Sequence, residues 1–181
     1  MTHVVEVSPY EQAWPGLFAA LSVQVRDALG SVAIRIDHIG STSAPGLDAK
    51  PIIDVQVSVV AFDPPDAYRV PLDRTGLVFR SDNVELTKRY FRVAPGTRRT
   101  HSHVRRAGSW GEQLSLLFCD CLRVHPEDRD RFAELKRGLA RQFQGDRRAH
   151  TMAKDPVIWE AMSWADRWSQ APGWAPEPTD A

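Results

Sequence analysis

Two short stretches of this chain combine residue types that can hold a phosphate and a cation. The first is His38-Ile39-Gly40-Ser41-Thr42-Ser43, and the second is Lys50-Pro51-Ile52-Ile53-Asp54-Val55-Gln56-Val57. Gly40 permits close backbone approach, and Ser41, Thr42 and Ser43 add hydroxyl groups. A concave run of backbone N–H groups of this kind binds phosphate, and Lys50 supplies a point charge for it. Asp54 stands among apolar residues in a strand-like run, where an acid is depleted and costly to bury unpaired. Its partner is therefore a cation: Lys50, an arginine or Mg2+. Gln56 faces the same side as Asp54, because strand side chains alternate. It offers a neutral oxygen where two-metal phosphoryl transfer uses a further carboxylate. The expected cofactor is one Mg2+, with Asp54 and Gln56 as its protein ligands and nucleotide phosphates completing it. The same residues also suit an ordinary polar loop followed by a structural salt bridge.

A second group lies between Arg80 and Arg106, where eight basic residues face only Asp82 and Glu85. Such a surplus attracts an anion, and Arg89 and Arg92 are the candidate phosphate clamps. His101 and His103, two apart on a predicted strand, share one face. They can act in acid–base catalysis or ligate a metal. The alternatives are a solvated basic hairpin and two half-exposed strand histidines. Asp120 and Arg123, three apart on a predicted helix, can pair with each other, and Asp120 can orient Arg89 or Arg92. His38, Asp120 and Arg123 are assigned to supporting positions around the site.

The elements that must position these groups follow from periodicity. Residues 1–8 read as an edge strand. A helix is predicted over Tyr10–Leu29, capped by Ser8 with Pro9 at its first position. Strands are predicted at Val32–Ile39 and Ile52–Val60. Asp66–Leu72 reads as one helical turn limited by Pro71. Further strands follow at Leu77–Arg80, Arg89–Val93 and Thr100–Arg105, the last two joined through the Pro95-Gly96 turn. From Trp110 the period becomes helical, with a break at Pro126, a helix over Glu127–Phe143 and another from Asp155-Pro156. This is a mixed α/β chain with a helical C-terminal part.

Composition sets the outer bounds. The 181 residues carry no net charge, with 43% hydrophobic and 25% charged residues, which suits one globular domain. Residues 1–170 are expected to form it, with 171–181 as a flexible tail. No apolar run is long enough to span a bilayer, and no basic stretch leads into an apolar one at the start, so a cytoplasmic location is expected. Cys119 and Cys121, two apart on a helix, point apart and are expected to be free thiols. Few aromatic residues interleave with the basic ones, which argues against nucleic acid as partner.

The run from His38 to Leu47 followed by Ala49-Lys50-Pro51-Ile52-Ile53-Asp54 resembles the signature of the GrpB family, which is assigned to the nucleotidyltransferase superfamily. The resemblance continues at Arg89-Tyr90-Phe91-Arg92, His101-Ser102-His103-Val104, the stretch from Asp120 to Glu127, and Leu135-Lys136. It implies a nucleotidyltransferase-like mixed β-sheet with flanking helices. It also implies a transferase that binds a nucleoside triphosphate and passes its nucleotidyl group to a small acceptor. Gly40 and Ser41 would then hold phosphate, Asp54 the metal, and Lys50, Arg89 and Arg92 the developing charge, with His101 or His103 as base or neutral ligand. The superfamily pattern has a second acid where Gln56 stands and a third on a later strand, which this chain lacks. A phosphometabolite-binding module without transferase activity, and a metalloenzyme centred on His101 and His103, are the alternative readings.

Overall fold

The computed structural model describes residues 7–143, 149, 152–171 and 173–179; the edge strand expected over 1–8 falls mostly outside them. Among the described residues five strands form one mixed sheet: β1 (Arg35–Ile39), β2 (Ile53–Val59), β3 (Leu77–Phe79), β4 (Arg89–Val93) and β5 (Thr100–Arg106). Their order is β1-β2-β5-β4-β3. Only the central β2–β5 pair is parallel; the other pairs are antiparallel. Among the described residues five α-helices surround the sheet: α1 (Trp14–Leu29), α2 (Asp66–Arg74), α3 (Trp110–Val124), α4 (Pro126–Gln142) and α5 (Lys154–Gln170). The mixed α/β architecture is the one expected.

Alternation along the strands gives the sheet two unlike faces. Ile36, Ile53, Val55, Val57, Val59, Phe91 and Val104 project to one side, where Trp14, Phe18, Val25 and Leu29 of α1 and Tyr68 and Leu72 of α2 complete the main core. Burial of each large member contributes about 1.5–3 kcal/mol. Arg35, Asp37, Asp54, Gln56, Ser58, His101, His103 and Arg105 project to the other side, which α3 covers in part. Glu112 of α3 is buried there, accepting from the Ser58 hydroxyl and from the Gly108 amide (2.6 Å). A second core joins Ala44 and Leu47 of the turn after β1 to Leu122, Phe132, Ala133, Ala161 and Trp164 of α3, α4 and α5.

Three local expectations differ from the structure for identifiable reasons. Helix α1 starts at Trp14, not Tyr10, because Ser8 is committed to an antiparallel bridge with Ala49, each amide donating to the other's carbonyl at 2.9 Å. Ser8 therefore cannot cap, and Pro15 takes the favoured early position. Helix α2 continues through Pro71 to Arg74. A mid-helix proline costs about 3 kcal/mol, and burial of Tyr68 and Leu72 in the main core offsets it. Residues 173–179, expected to fray, are docked. The Thr179 hydroxyl donates to Ile36 O (2.8 Å) and accepts from Ile36 N (3.1 Å), Arg35 donates to Glu177 O (2.7 Å), and Trp174 Nε1 donates to Asp120 (3.1 Å). The tail thereby satisfies backbone groups on the open edge of β1.

Candidate active site at the carboxyl-bearing end of the sheet

Strand β1 delivers the chain into a tight 3-10 turn at Ser41–Ser43, and β2 returns antiparallel beside β1, with Ile39 opposite Asp54. This brings Gly40 against the Asp54 carboxylate. Gly40 has φ 74° and ψ −173°, a region essentially restricted to glycine. A Cβ at this position would sit 2.9 Å from Asp54 Oδ2. The glycine is thus required twice, by its backbone conformation and by the carboxylate packed on it.

The turn is held from three directions. On the apolar side, His38 stacks on Phe18 with ring centroids 4.7 Å apart. The Thr42 hydroxyl donates to Ile52 O (3.1 Å), so the hydrogen-bond network assigns the proton of the 3.0 Å His38–Thr42 contact to His38 Nε2. From α3, Arg123 donates to His38 O (2.8 Å) and Ser43 O (3.2 Å), gripping the backbone on both sides of Gly40. Asp120 pairs with Arg123 at 3.1 Å and accepts from Trp174. Burial pushes the Asp120 carboxyl up from its ordinary value despite these donors. Asp120 orients Arg123, and not Arg89 or Arg92 as expected. From α4, Lys136 Nζ donates to Ser41 Oγ (2.8 Å) and to Asp48 O (2.7 Å).

The parallel pairing of β2 with β5 sets His101 opposite Asp54 and His103 opposite Gln56. His101 Nδ1 and His103 Nε2 both lie 3.2 Å from Asp54 Oδ1. The candidate ligand atoms of the three residues all fall within 4.8 Å of one another. Their side chains retain 26% (Asp54), 17% (His101) and 14% (His103) exposure, so the group opens to solvent. Burial raises the Asp54 pKa, but the hydrogen bonds and charges of the two histidines outweigh it and hold the carboxyl well below the usual carboxylate range. Burial lowers His103 from its ordinary value, against the pull of Asp54. Tyr90 of β4 packs beside both rings, with centroids 5.5 and 5.2 Å away. Its hydroxyl accepts from Arg92 Nε at 2.7 Å.

Gly40, Ser41, Asp54, His101, His103 and Arg92 are thus brought to one end of one face. Arg89 is not. It pairs in register with Val104, on the apolar side, and its guanidinium lies over Phe62 (4.2 Å). Arg89 and Arg92 are an odd number of residues apart in one strand, so they cannot share a face. Thr42 and Ser43 turn inward and are buried as turn-holding groups; Ser43 Oγ donates to Gly40 O at 2.7 Å. Lys50 is half-buried on the segment before β2. The ammonium resting on Ser41 is instead that of Lys136, which the sequence reading did not assign to the site. Its only sequence signal is the Leu135-Lys136 pair within the family resemblance.

The paired-magnesium cage of the superfamily pattern does not fit these residues. Among the described residues Asp54 is the one carboxylate in the cluster with His101 and His103, and Gln56 is fully buried, with Nε2 donating to Glu112 O (3.3 Å) and Oε1 unpartnered. The positions around Asp54 are filled by imidazole nitrogen in place of carboxylate oxygen.

A family model described as GrpB protein matches residues 4–163. The chain belongs to the GrpB family. Among curated relatives, UPF0157 protein PA4798 of Pseudomonas aeruginosa is 40% identical over 157 residues, which make up 85% of this chain and 64% of that protein. A dephospho-CoA kinase of Mycolicibacterium paratuberculosis is 29% identical over 198 residues, covering 95% of this chain and 48% of the kinase. The chain therefore spans about half to two thirds of the length of these relatives. The solved GrpB from Enterococcus faecalis shares the fold at TM-score 0.80 and 29% identity, over 90% of this chain and 99% of that one. The Cid1 poly(U) polymerase, in its Mg 3'-dATP-bound structure, matches at TM-score 0.52 and 12% identity, over 75% of this chain and 44% of the polymerase. That likeness is one of fold and says nothing of activity. No helix among the described residues is long and apolar enough to cross a membrane.

Proposed function

We propose that this GrpB-family chain binds the phosphates of a nucleoside triphosphate on the Gly40-Ser41 turn and transfers the nucleotidyl group to a small acceptor. The observation that carries this reading is the close approach of Gly40 to Asp54, which leaves no side chain between the turn's backbone and the carboxylate. Phosphate oxygens lying on Gly40 and Ser41 then meet two cationic partners. Lys136 already reaches the Ser41 hydroxyl, and Arg92 stands on the same face beside Tyr90. Such groups stabilise charge that develops on a transferring phosphoryl centre. The acceptor hydroxyl attacks the α-phosphorus in line and gives its proton to water, a new P–O bond forms, and pyrophosphate leaves with the electron pair of the broken bond. Asp54 is ionised at neutral pH, and a triphosphate beside it needs a cation between the two.

One observation favours a second reading, a binding module without transfer. Gln56 is held by a backbone carbonyl of α3 at the position where a further metal-binding acid would stand. The two readings separate in one experiment. ATP, CTP, GTP and UTP are titrated calorimetrically, with magnesium, with manganese and then with EDTA, into wild type and Lys136→Met, and pyrophosphate release is followed with candidate acceptors. Binding by wild type that weakens about 10–100-fold in Lys136→Met supports the phosphate site, the loss of one charge-assisted contact being about 1.5–3 kcal/mol. Pyrophosphate release separates transferase from module. Wild type that binds none of the four at millimolar concentration overturns both.

A further inference from the structure

We propose that Asp54, His101 and His103 form a binding site for one divalent first-row transition ion (manganese, iron, cobalt or zinc), and not for magnesium. This deepens the nucleotide reading by naming the cation beside Asp54, but its geometry stands without a nucleotide. The donor set is two imidazole nitrogens and one carboxylate oxygen. Imidazole suits the transition ions, whereas Mg2+ prefers oxygen ligands in a near-ideal octahedron. Two histidines and one carboxylate on one side leave the remaining coordination positions open. Asp54 Oδ2 faces Gly40 while Oδ1 faces the two rings, so the Gly40 turn lies beside the donor group.

In the present arrangement both rings donate to Asp54 Oδ1, which requires the proton of His103 to be on Nε2. In the neutral ring His103 Nδ1 is then a bare acceptor; it is buried and without a partner, and Gln56 Oε1 is also buried and without a partner. These two residues are register partners across β2 and β5. Buried acceptors without partners are costly, and these two lie on neighbouring strands. A metal on His103 Nε2 moves the ring proton to Nδ1 and turns that acceptor into a donor. Gln56 Oε1 then becomes its acceptor, directly or through one water. Metal-bound histidines almost always donate their second N–H in this manner. Gln56 then has a different part from the one expected of it: it orients a ligand and is not one. A carboxamide does this without adding a second negative charge to a site that already holds Asp54.

A second donor group is the control. His125, Glu127 and Asp128 also bring their ligand atoms within 4.8 Å, but this group lies at the junction of α3 and α4, is mostly acidic and contains a single histidine. Its His125 Nδ1 is paired with Glu127 at 3.0 Å.

The test uses the whole chain, stripped with EDTA and without nucleotide. Co2+ is titrated by absorption spectroscopy and Mg2+ by calorimetry, and the Co2+-loaded protein is examined by paramagnetic proton NMR. Wild type is expected to bind one Co2+ per chain at least ~100-fold more tightly than Mg2+, with resonances of two imidazole rings shifted. Gln56→Leu is expected to keep the stoichiometry and lose about 10–100-fold in affinity, the range for lost outer hydrogen bonds. His101→Gln is expected to lose the site, and Glu127→Gln to leave it unchanged. Affinities for Mg2+ and Co2+ that are alike, one shifted ring, or Co2+ binding lost in Glu127→Gln would each overturn the proposal. The wild-type NMR reading needs no variant to fold. A failure of nucleotide binding leaves these results untouched, and an absent metal leaves the nucleotide titration to speak for itself.

Discussion

Along β2, Ile53, Val55, Val57 and Val59 point one way and Asp54, Gln56 and Ser58 the other, and the two sets are finished differently. The apolar set is closed completely by α1, α2 and the neighbouring strands. The polar set is closed at one end, where Ser58 and Glu112 pair, and left open at the other, where Asp54 and its two histidines face solvent. Stability and chemistry are thus divided between the faces of a single sheet. The division explains how a charged group can stand in the middle of the fold: the closed face supplies the free energy that the open one does not.

The division can be attacked by substitution, starting on the apolar side. Phe91→Ala removes a fully buried ring and is expected to cost about 3–5 kcal/mol in urea unfolding. Co2+ stoichiometry of the fraction that remains folded should be unchanged; loss of the metal site would join the two faces that the account separates. Glu112→Ala strands the Ser58 hydroxyl and the Gly108 amide under α3. It is expected to cost about 2–4 kcal/mol, which would show that the closed part of the polar face also contributes to stability. Gly40→Ala forces a side chain into a glycine-only conformation and against Asp54. About 1–3 kcal/mol of stability should be lost, together with at least tenfold in nucleotide affinity; a variant that binds as wild type would place the phosphates elsewhere.

The smallest effect concerns Glu85, on the loop before β4, which pairs with Lys88 (2.7 Å) and Arg105 (3.3 Å). Burial raises its pKa, but the donors outweigh it and bring it down to about 2. A carboxyl depressed in the folded state contributes stability that is present above its unfolded value, about 4.3, and is lost as pH falls towards 2. Because the side chain keeps 41% exposure, the difference between wild type and Glu85→Gln should stay below about 1 kcal/mol and shrink in high salt. Paired unfolding curves at pH 7 and pH 3 check this.

Much of the local frame was legible in the sequence. The limits of β4, Arg89–Val93, follow from the local pattern, and strand alternation alone puts Gln56 on the side of Asp54. The same alternation could have separated Arg89 from Arg92, and charge counting obscured it. Other features depend on pairings that no local pattern encodes. Both histidines reach one oxygen of Asp54 only because β2 and β5 run parallel across a long crossover with Asp54 opposite His101. Lys136 reaches Ser41 only because α4 packs under the turn through Leu47 and Phe132. Ser8 failed as a cap because a residue far along the chain, Ala49, claimed its backbone.

The central claim is that a cation and a phosphate meet at the open end of the polar face. Pulsed electron paramagnetic resonance on Mn2+-loaded protein with ATP reads both partners at once. The account expects nitrogen couplings from two imidazoles together with phosphorus coupling from the nucleotide, on a single ion. Phosphorus coupling without nitrogen would mean that the ion belongs to the nucleotide alone, and nitrogen without phosphorus that the phosphates do not reach Asp54; either result would contradict it.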